Sequence, residues 1–490
     1  MYFGYDEARD AFVSQEIFTK GDLKLIGPQA SAFPGIHHGP LYYYLIGPLF
    51  LLGKGNPYFV SVIFRLINSL GIIGIYILGT LLFNVQVGLI SSFIYAVSYE
   101  QFIYSIFTGN PSISNISWIL LFIGVGIIYK YKNHRSLGLL LMLLGASIIP
   151  QFDMIIGYSL FVLIILLILI KDKLKGLGYK EIFWTILVGL TPLYTYILAE
   201  LKNKFLATKA ILSLFSSGVS NFSVGDSLLK ILLRNFLGLF RNNIVDLNLN
   251  NVIILTLFVS ILIYLIYKAQ KDRKYIFIVI WILSFLFLVI ARGFMPFYSY
   301  AGVGIGLILA FSIFLSDIFR FNRFMVFLLL AVLTYSNLLK IVDQSSKSLI
   351  VEIKAQPGMK LSDEIQLIEN IYEYSEGNAF TIRVTSMPYK IQTVWAYLFR
   401  QYGKNIYGYY PYFETGNVLG FPGELPTPKA GVTCFRFLIQ EPIRGIPQDL
   451  VIKDQNEENN FSVIVKEERI GDFVLQKRLA KDRSCHSNKP

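Results

Sequence analysis

Long apolar stretches separated by short polar segments fill most of the chain up to about residue 340. A helix that crosses a bilayer needs about 20 mainly apolar residues, and ten stretches meet or approach that length. They lie near residues 58–83, 86–104, 112–130, 136–149, 152–170, 181–200, 251–268, 275–293, 297–315 and 322–339. The 136–149 stretch is short, and Pro150 indicates its boundary with the next. The pattern predicts a polytopic α-helical membrane protein with about ten spans.

The residues ahead of the first long stretch are more polar. Residues 41–53 are apolar but too short to span, and they lie between Gly39-Pro40 and Gly53-Lys54-Gly55-Asn56-Pro57. We interpret 41–53 as a helix in the membrane interface. Residues 1–57 are therefore predicted to form a first extracytoplasmic loop with interfacial helices. A transmembrane domain is expected at 58–340.

The pattern changes after residue 340, where charged residues, Asn and Pro return. Residues 380–384 and 435–439 alternate between apolar and polar positions as strands do. Residues 390–402 have a helical apolar spacing, and 461–477 are typical of a hairpin. We predict that 341–490 form a soluble α/β domain.

Composition supports the membrane interpretation. The 490-residue chain is 54% hydrophobic and only 16% charged, whereas soluble domains carry about 25% charged residues. The formal net charge is +12. No basic run is interleaved with aromatic residues, so a nucleic-acid partner is not expected. In a polytopic protein, excess Lys and Arg indicate cytoplasmic loops.

The loops between the predicted spans alternate in charge. One set contains Lys130, Lys132, Arg135, Lys171, Lys173, Lys175, Lys180, Lys268, Lys271, Arg273, Lys274, Arg320 and Arg323. By the positive-inside rule this set is cytoplasmic. The count of spans then places 1–57, a long loop at 201–250 and the C-terminal domain outside, although the 201–250 loop is itself basic.

An extracytoplasmic N-terminus needs something to carry it across the membrane. We expect that an initial transmembrane helix is missing from the chain as given; the alternative is a short N-terminus translocated unaided. The protein is predicted to be integral to the inner or plasma membrane. Cys434 and Cys485 both lie in the C-terminal domain, where a disulfide and two free thiols are equally open.

Polar residues gather in the predicted outer segments. An acidic cluster, Asp6-Glu7-Ala8-Arg9-Asp10, begins the chain, and carboxylates beside a bilayer are costly unless they have a task. The other candidates are His38, Asn110, Gln151, Asp153, Arg234, Arg241, Arg292, Tyr298 and Tyr300. Ordinary alternatives stay open: solvated loop charges, a snorkelling arginine at 292, and a helix-start signal at Asn110-Pro111.

Together these residue types favour one kind of chemistry. A carboxylate can take the proton of an acceptor hydroxyl, and arginines can grip a departing phosphate in bidentate fashion. The sequence has no Walker A loop, and nucleotide donors are not normally available outside the cytoplasm. A donor activated by a lipid phosphate fits both observations.

The spacing of these residues carries a resemblance. Tyr5-Asp6-Glu7-Ala8-Arg9, then Gly39-Pro40-Leu41-Tyr42-Tyr43-Tyr44, then Arg65-Leu66 resembles the first outer loop of GT-C glycosyltransferases. The similarity is to the protein O-mannosyltransferase and aminoarabinose-transferase group (glycosyltransferase family 39-like). The resemblance implies a GT-C fold over about residues 1–340, with Asp6 as catalytic base and Glu7 beside it. It also implies a polyprenyl-phosphate sugar donor and inversion at the sugar carbon.

Two departures from the family pattern concern the site. Asn110 stands where relatives often have a second acidic residue, and Gly39 stands where many have a Lys or acidic residue before the proline. Metal dependence therefore stays open, and a divalent metal is a possible cofactor. The acceptor also stays open: it is a protein, a lipid or an envelope glycan.

The resulting prediction is an inverting membrane glycosyltransferase that acts on the extracytoplasmic face. Asp6 and Glu7 are the expected catalytic residues. The expected donor phosphate ligands are Arg292, Arg234 and Arg241. The expected substrate-binding residues are Arg9, His38, Asn110, Gln151, Asp153, Tyr298 and Tyr300. The alternatives are a transporter or flippase of lipid-linked sugars, and a non-catalytic envelope glycan assembly protein.

Overall fold

A computed structural model describes residues 1–30, 35–153, 157–217, 228–287, 297–346, 356, 358–414, 433–442 and 446–481. Backbone contacts divide the chain into two compact units. The first unit comprises Met1–Leu23, Tyr43–Ser61 and Ser345–Pro490, and the second comprises Lys24–Tyr42 and Val62–Gln344. Arg292 and Cys485 lie outside the described residues.

Helices make up most of the described residues before 347. They are α1 Tyr5–Lys20, α2 Leu41–Leu52, α3 Pro57–Leu82, α4 Val85–Val97, α5 Tyr99–Ile106, α6 Ser114–Lys130, α7 Arg135–Phe152, α8 Ser159–Leu174, α9 Tyr179–Gly189, α10 Tyr194–Lys202, α11 Leu206–Ser217, α12 Leu228–Asn243, α13 Asn251–Lys271, α14 Lys274–Leu283, α15 Val303–Phe319 and α16 Arg323–Ser346. Short 3₁₀ turns lie at Asn110–Ile113, Lys132–His134, Thr191–Leu193 and Phe297–Tyr300.

Five helical segments among the described residues are long and apolar enough to cross a membrane. They are Pro57–Leu82, Asn110–Lys130, Lys132–Phe152, Asn251–Lys271 and Arg323–Gln344. The pair Tyr179–Gly189 and Thr191–Lys202, bent by 46°, makes a sixth if it is counted as one span. Leu41–Leu52, Val85–Val97, Lys274–Leu283 and Val303–Phe319 are shorter apolar helices. A mainly helical chain suited to a membrane is thus confirmed.

Two predicted boundaries are wrong, and the predicted loop at 201–250 is partly helical. The stretch predicted at 86–104 is divided at Ser98, whose backbone is extended and whose hydroxyl accepts a hydrogen bond from Gln101 N, starting a new helix. Pro150 does not end its helix, because α7 continues to Phe152. The predicted loop at 201–250 contains α11 and α12, since leucines at helical spacing give α12 one apolar face.

Small residues determine how closely α6 and α7 pack. A methyl group added at Gly124 would lie 2.5 Å from Gly138 O, and one at Gly145 would lie 2.5 Å from Leu121 N. Only glycine permits this approach between two helix backbones. Beside them, the rings of Phe122 and Trp281 stack with centroids 4.0 Å apart. The interior of the second unit is therefore tightly packed.

The C-terminal part of the first unit contains a five-stranded sheet of order β2-β1-β3-β5-β4. The strands are β1 Phe380–Thr385, β2 Tyr412–Phe413, β3 Phe435–Gln440, β4 Ser462–Ile470 and β5 Phe473–Ala480. Its helices are α17 Leu361–Ser375, α18 Thr393–Leu398 and α19 Gln448–Phe461, with further helical turns at Phe399–Lys404 and Asn405–Tyr407.

Strand β1 is parallel to both of its neighbours, whereas β5 is antiparallel to β3 and β4. All six residues of β1 are buried, as expected for a central strand. Gly471, with a φ of 57°, makes the turn of the predicted hairpin. A C-terminal domain built on a sheet is thus confirmed, and Cys434 in it is disulfide-bonded.

Candidate functional site

In the first unit, the acidic cluster lies on the first turns of α1. The backbone N–H of Gly4 donates to Glu7 Oε2 at 3.1 Å, and Glu7 is buried. This is the contact of a residue that caps a helix start. The described contact of Glu7 is therefore structural, and its predicted catalytic role stays a prediction.

Arg9 lies between two carboxylates on the same helix. Its Nη1 is 2.6 Å from Asp6 Oδ1, and its Nη2 is 2.7 Å from Asp10 Oδ1. The Asp6 side chain is 67% exposed, whereas that of Asp10 is 3% exposed. A carboxylate that is held by an arginine yet open to solvent is suited to receive a proton from an incoming group.

Asp10 differs from Asp6 in its surroundings. Burial raises the pKa of Asp10 to about 6, although the charge of Arg9 acts in the opposite direction. The Tyr43 hydroxyl donates a hydrogen bond to Asp10, and this bond also lowers the pKa of Asp10. The i, i+4 spacing of Asp6 and Asp10, with Arg9 between them, is a signal in the sequence for this arrangement. The sequence pattern includes Asp10 in the acidic cluster but predicts no separate role for it.

In the second unit, three predicted residues meet at the C-terminal end of α7. His38 Nδ1 lies 3.3 Å from Asp153 Oδ1, and both side chains are buried. Gln151 Nε2 donates to Pro192 O at 2.6 Å. The backbone also meets here, since Gly39 N donates to Pro150 O at 3.4 Å. The His-His-Gly-Pro segment is therefore attached to the end of α7.

Asn110 belongs to the same region. Its Nδ2 donates to Phe152 O at 2.6 Å. This contact needs an amide donor, which an acidic residue at 110 would lack. Asn110 therefore makes a structural bond in this chain that a carboxylate at the same position would not make.

A largely apolar cavity of about 450 Å³ lies beside this region, within the second unit. Its lining includes His37, Pro150, Tyr196, Glu200 and Thr208. Glu200 accepts hydrogen bonds from Ala207 N and Thr208 N, each at 3.0 Å, and so caps the start of α11. The surface of the cavity is therefore mainly apolar, with a few polar groups among its lining residues.

Two of the three predicted phosphate ligands, Arg234 and Arg241, lie on α12. Lys230, Arg234 and Arg241 fall on one face of this helix by their spacing. Together with Leu233, Leu237, Gly238, Asn251, Val252 and Leu255 they line a groove of about 660 Å³, which we call the α12 groove. Lys230 and Arg234 are exposed. Cationic groups beside an apolar wall suit a lipid phosphate.

Arg241 is bonded to the segment that follows α12. Its Nη1 donates to Asp246 Oδ1 at 3.0 Å, and its Nη2 donates to Leu249 O at 2.7 Å. Lys340 Nζ lies 3.0 Å from the other oxygen of Asp246. These bonds occupy the guanidinium group with the segment that follows α12.

The two remaining predicted residues, Tyr298 and Tyr300, differ in burial. Tyr300 is buried, and its ring lies 6.4 Å from that of Phe285, while Tyr298 is half-buried in the same turn. Sequence reasoning missed Glu100, a fully buried carboxylate inside an apolar stretch. That placement alone was a usable signal.

Among the residues described here, no group of three or more His, Cys, Asp or Glu could hold a metal ion.

Comparison with known sequences gives no match. No protein-family model matches the chain, and no curated protein sequence matches it. Solved structures do match. ArnT from Cupriavidus metallidurans in the apo state has a TM-score of 0.57 at 11% identity, over 97% of this chain and 94% of that chain.

The structure of ArnT from Cupriavidus metallidurans bound to undecaprenyl phosphate also has a TM-score of 0.57 at 11% identity, over 98% and 94% of the two chains. The Archaeoglobus fulgidus oligosaccharyltransferase in complex with Zn and sulfate has a TM-score of 0.42 at 13% identity, over 84% of this chain and 58% of that chain. The ArnT likeness extends over nearly the whole of both chains. The predicted resemblance to the aminoarabinose-transferase group is therefore confirmed for the fold.

Proposed function

We propose that this protein is a membrane glycosyltransferase that moves a sugar from a polyprenyl-phosphate donor to an acceptor. The observation that carries the proposal is the fold shared with ArnT over 97% of the chain. ArnT binds undecaprenyl phosphate in one of its structures. The exposed carboxylate on α1 and the basic, apolar α12 groove supply the residue types that such a reaction needs.

Asp6 is the proposed base. It takes the proton of an acceptor hydroxyl as the oxygen attacks the anomeric carbon of the sugar. The bond from that carbon to the phosphate oxygen breaks, and the electron pair leaves with the phosphate. Attack opposite the leaving group inverts the sugar carbon. Arg9 holds the Asp6 carboxylate in place through its 2.6 Å contact, while Glu7 keeps the helix start formed.

Arg234 and Lys230 are the proposed ligands of the donor phosphate. They are exposed at the α12 groove, and cations stabilise the charge that develops on a departing phosphate. Arg241 supports them, because its own bonds tie the end of α12 to Asp246. A role for Arg292 stays a prediction, since it lies outside the described residues.

The remaining assignments concern the membrane. We place residues 1–57 and 341–490 on the extracytoplasmic side of an inner or plasma membrane and keep about ten spans for 58–340. Within that range, three shorter apolar helices, Val85–Val97, Lys274–Leu283 and Val303–Phe319, add to the five long segments and the bent pair and support a count close to that. His38, Gln151, Asp153 and Asn110 are proposed to shape the acceptor side, and Tyr298 and Tyr300 to line it. A divalent metal and the identities of sugar and acceptor stay open.

The test compares Asp6→Asn with Glu16→Gln in membranes that contain the full chain. Glu16 lies on the same helix and pairs with Lys20, one turn further on, at 2.6 Å. Membranes receive a panel of radiolabelled polyprenyl-phosphate sugars, and covalent transfer is measured. We expect Asp6→Asn to abolish transfer, Glu16→Gln to retain it, and both variants to bind undecaprenyl phosphate like the wild type.

Retained transfer in Asp6→Asn would remove Asp6 from the role of base. Translocation of the labelled lipid without covalent transfer by the wild type would replace the proposal with a flippase. Neither reaction with any donor would favour a non-catalytic assembly protein. Loss of transfer in Glu16→Gln as well would show that α1 tolerates no change of charge, and would leave Asp6 with no special role.

A further inference from the structure

A buried carboxylate in the second unit has no part in the reaction proposed above. Glu100 lies in the first turn of α5 and is 0% exposed. Asn243, the last residue of α12, donates from Nδ2 to Glu100 Oε2 at 2.8 Å. A carboxylate among apolar helices is costly and is kept where it has a task. The bond to Asn243 connects Glu100 to the position of α12.

The amide of Asn243 is held from both ends. Ser98 Oγ donates to its Oδ1 at 3.1 Å, and Gln101 Nε2 approaches the same oxygen at 3.4 Å. Asn115 in turn donates to Gln101 Oε1 at 3.0 Å. A network in which each amide is bonded fixes one arrangement more firmly than a single bond would. The end of α12 is therefore attached to the start of α5.

A third helix closes around this pair. A methyl group at Gly304 on α15 would lie 2.4 Å from Glu100 Oε1 and 2.4 Å from Asn243 Nδ2. The space beside the pair therefore has no room for any other side chain. A slide or rotation of α12 against α5 would break the bonds and would also press atoms against α15.

The residues of this network lie next to the basic face of α12. Arg241 precedes Asn243 by two positions, and Arg234 lies two further turns towards the start of the helix. A helix held rigidly at its last residue transmits that position along its length, because its backbone bonds run without a break. The contact between Asn243 and Glu100 therefore holds the end of the helix that carries the α12 groove.

We propose that Glu100 is a positioning residue for lipid-phosphate binding, acting through Asn243 to fix the rotation of α12. The inference rests on the proposed function, since it assigns the α12 groove to a phosphate. Its ligand class is a polyprenyl phosphate. Glu100 never contacts that ligand; it sets where Lys230 and Arg234 present their charges.

The test measures binding of undecaprenyl phosphate to the full-length protein in detergent. Gly304→Ala inserts a methyl group into the Glu100–Asn243 pair and should weaken binding about tenfold, which is about 1.4 kcal/mol. Gly306→Ala on the same helix is the control, because its methyl group would meet the ring of Trp281 at 3.0 Å and not the pair.

Two variants at position 100 separate positioning from folding. Glu100→Ala should lose binding as Gly304→Ala does. Glu100→Gln should restore it to within about twofold, because the Gln carbonyl still accepts from Asn243. Thermal unfolding is followed for each variant. A purely structural role would lower the melting temperature of Gly304→Ala and Gly306→Ala alike and weaken binding in proportion, and that result would overturn the inference.

Arg234→Ala separates a failure of the positioning role of Glu100 from a failure of the proposed phosphate site. If Arg234→Ala weakens binding while Glu100→Ala and Gly304→Ala bind like the wild type, the positioning role is wrong and the donor site stands. If Arg234→Ala has no effect, the α12 groove is not the phosphate site, and the donor part of the proposed function fails. If Glu100→Ala does not fold, Gly304→Ala decides the positioning role, since it leaves the carboxylate in place.

Discussion

Replacing Asp10 by Asn should change how the stability of the protein depends on pH. The buried carboxyl has its pKa raised from 3.8 to about 6, which corresponds to about 3 kcal/mol of cost for holding it ionised. Because the folded state binds the proton more tightly than the unfolded state, stability falls as pH rises through this window. Asn at position 10 does not titrate, so this part of the pH dependence disappears.

The measurement is thermal unfolding of wild type and Asp10→Asn in detergent at several pH values. Other buried acids, such as Glu441 with a pKa raised by burial to about 7, contribute to both proteins and cancel in the difference. The stability of the variant relative to the wild type should increase by about 1.4 kcal/mol between about pH 5 and about pH 7.5. Loss of the contact with Arg9 changes the stability of the variant by an amount that is the same at every pH in this range.

Tyr43→Phe provides a second reading of the same group. The Tyr43 hydrogen bond lowers the pKa of Asp10, so its removal should move the transition to higher pH. Tyr44→Phe is the matched control, because it removes the neighbouring hydroxyl and leaves the bond between Tyr43 and Asp10 in place. A difference between wild type and Asp10→Asn that stays constant with pH would refute the reasoning, since it would mean that Asp10 titrates as an exposed acid.

Three further substitutions test local contacts by thermal unfolding. Asn110→Asp removes the donor to Phe152 O and should lower stability by about 1–3 kcal/mol; unchanged stability would mean that this bond contributes nothing. Gly39→Ala would place a methyl group 2.1 Å from Gln151 Oε1 and 2.7 Å from its Cα, so a loss of about 1–3 kcal/mol is expected. Among the described residues, a methyl group at Gly238 in α12 would meet a tyrosine hydroxyl at 3.8 Å and nothing nearer, so Gly238→Ala should stabilise the helix by up to about 1 kcal/mol; a loss there as large as at Gly39 would contradict the contact argument.

The sequence predicted the elements whose signal is local. Alternation at 380–384 and 435–439 gave β1 and β3, and Gly471 marked the hairpin turn, because period and turn chemistry are properties of neighbouring residues. Hydropathy predicts one helix across the apolar run at 86–104, because it averages over Ser98. The hydroxyl at that position starts a new helix, which is a specific hydrogen bond and not an average.

The candidate site was predictable in its residue types and much less in their roles. Asp6 and Asp10 look alike in sequence, yet one side chain is 67% exposed and the other 3% exposed. Burial depends on which parts of the chain pack over α1, and no local pattern contains that information. Glu100 shows the reverse case: a charge inside an apolar stretch was a visible signal, but its partner Asn243 lies 143 positions away.

A local sequence pattern also cannot distinguish the roles of Arg234 and Arg241, which differ only in the folded structure. Their spacing puts them on one face of α12, so periodicity assigns both to one task. Arg241, however, lies close to the helix end, where the chain turns and brings Asp246 within 3.0 Å. A guanidinium bonded to a carboxylate must give up that bond before it can grip a phosphate, which costs part of the energy gained. Our proposal therefore gives Arg241 the role of holding the end of the helix, and gives Arg234, exposed at the groove in the middle of the helix, the role of phosphate ligand.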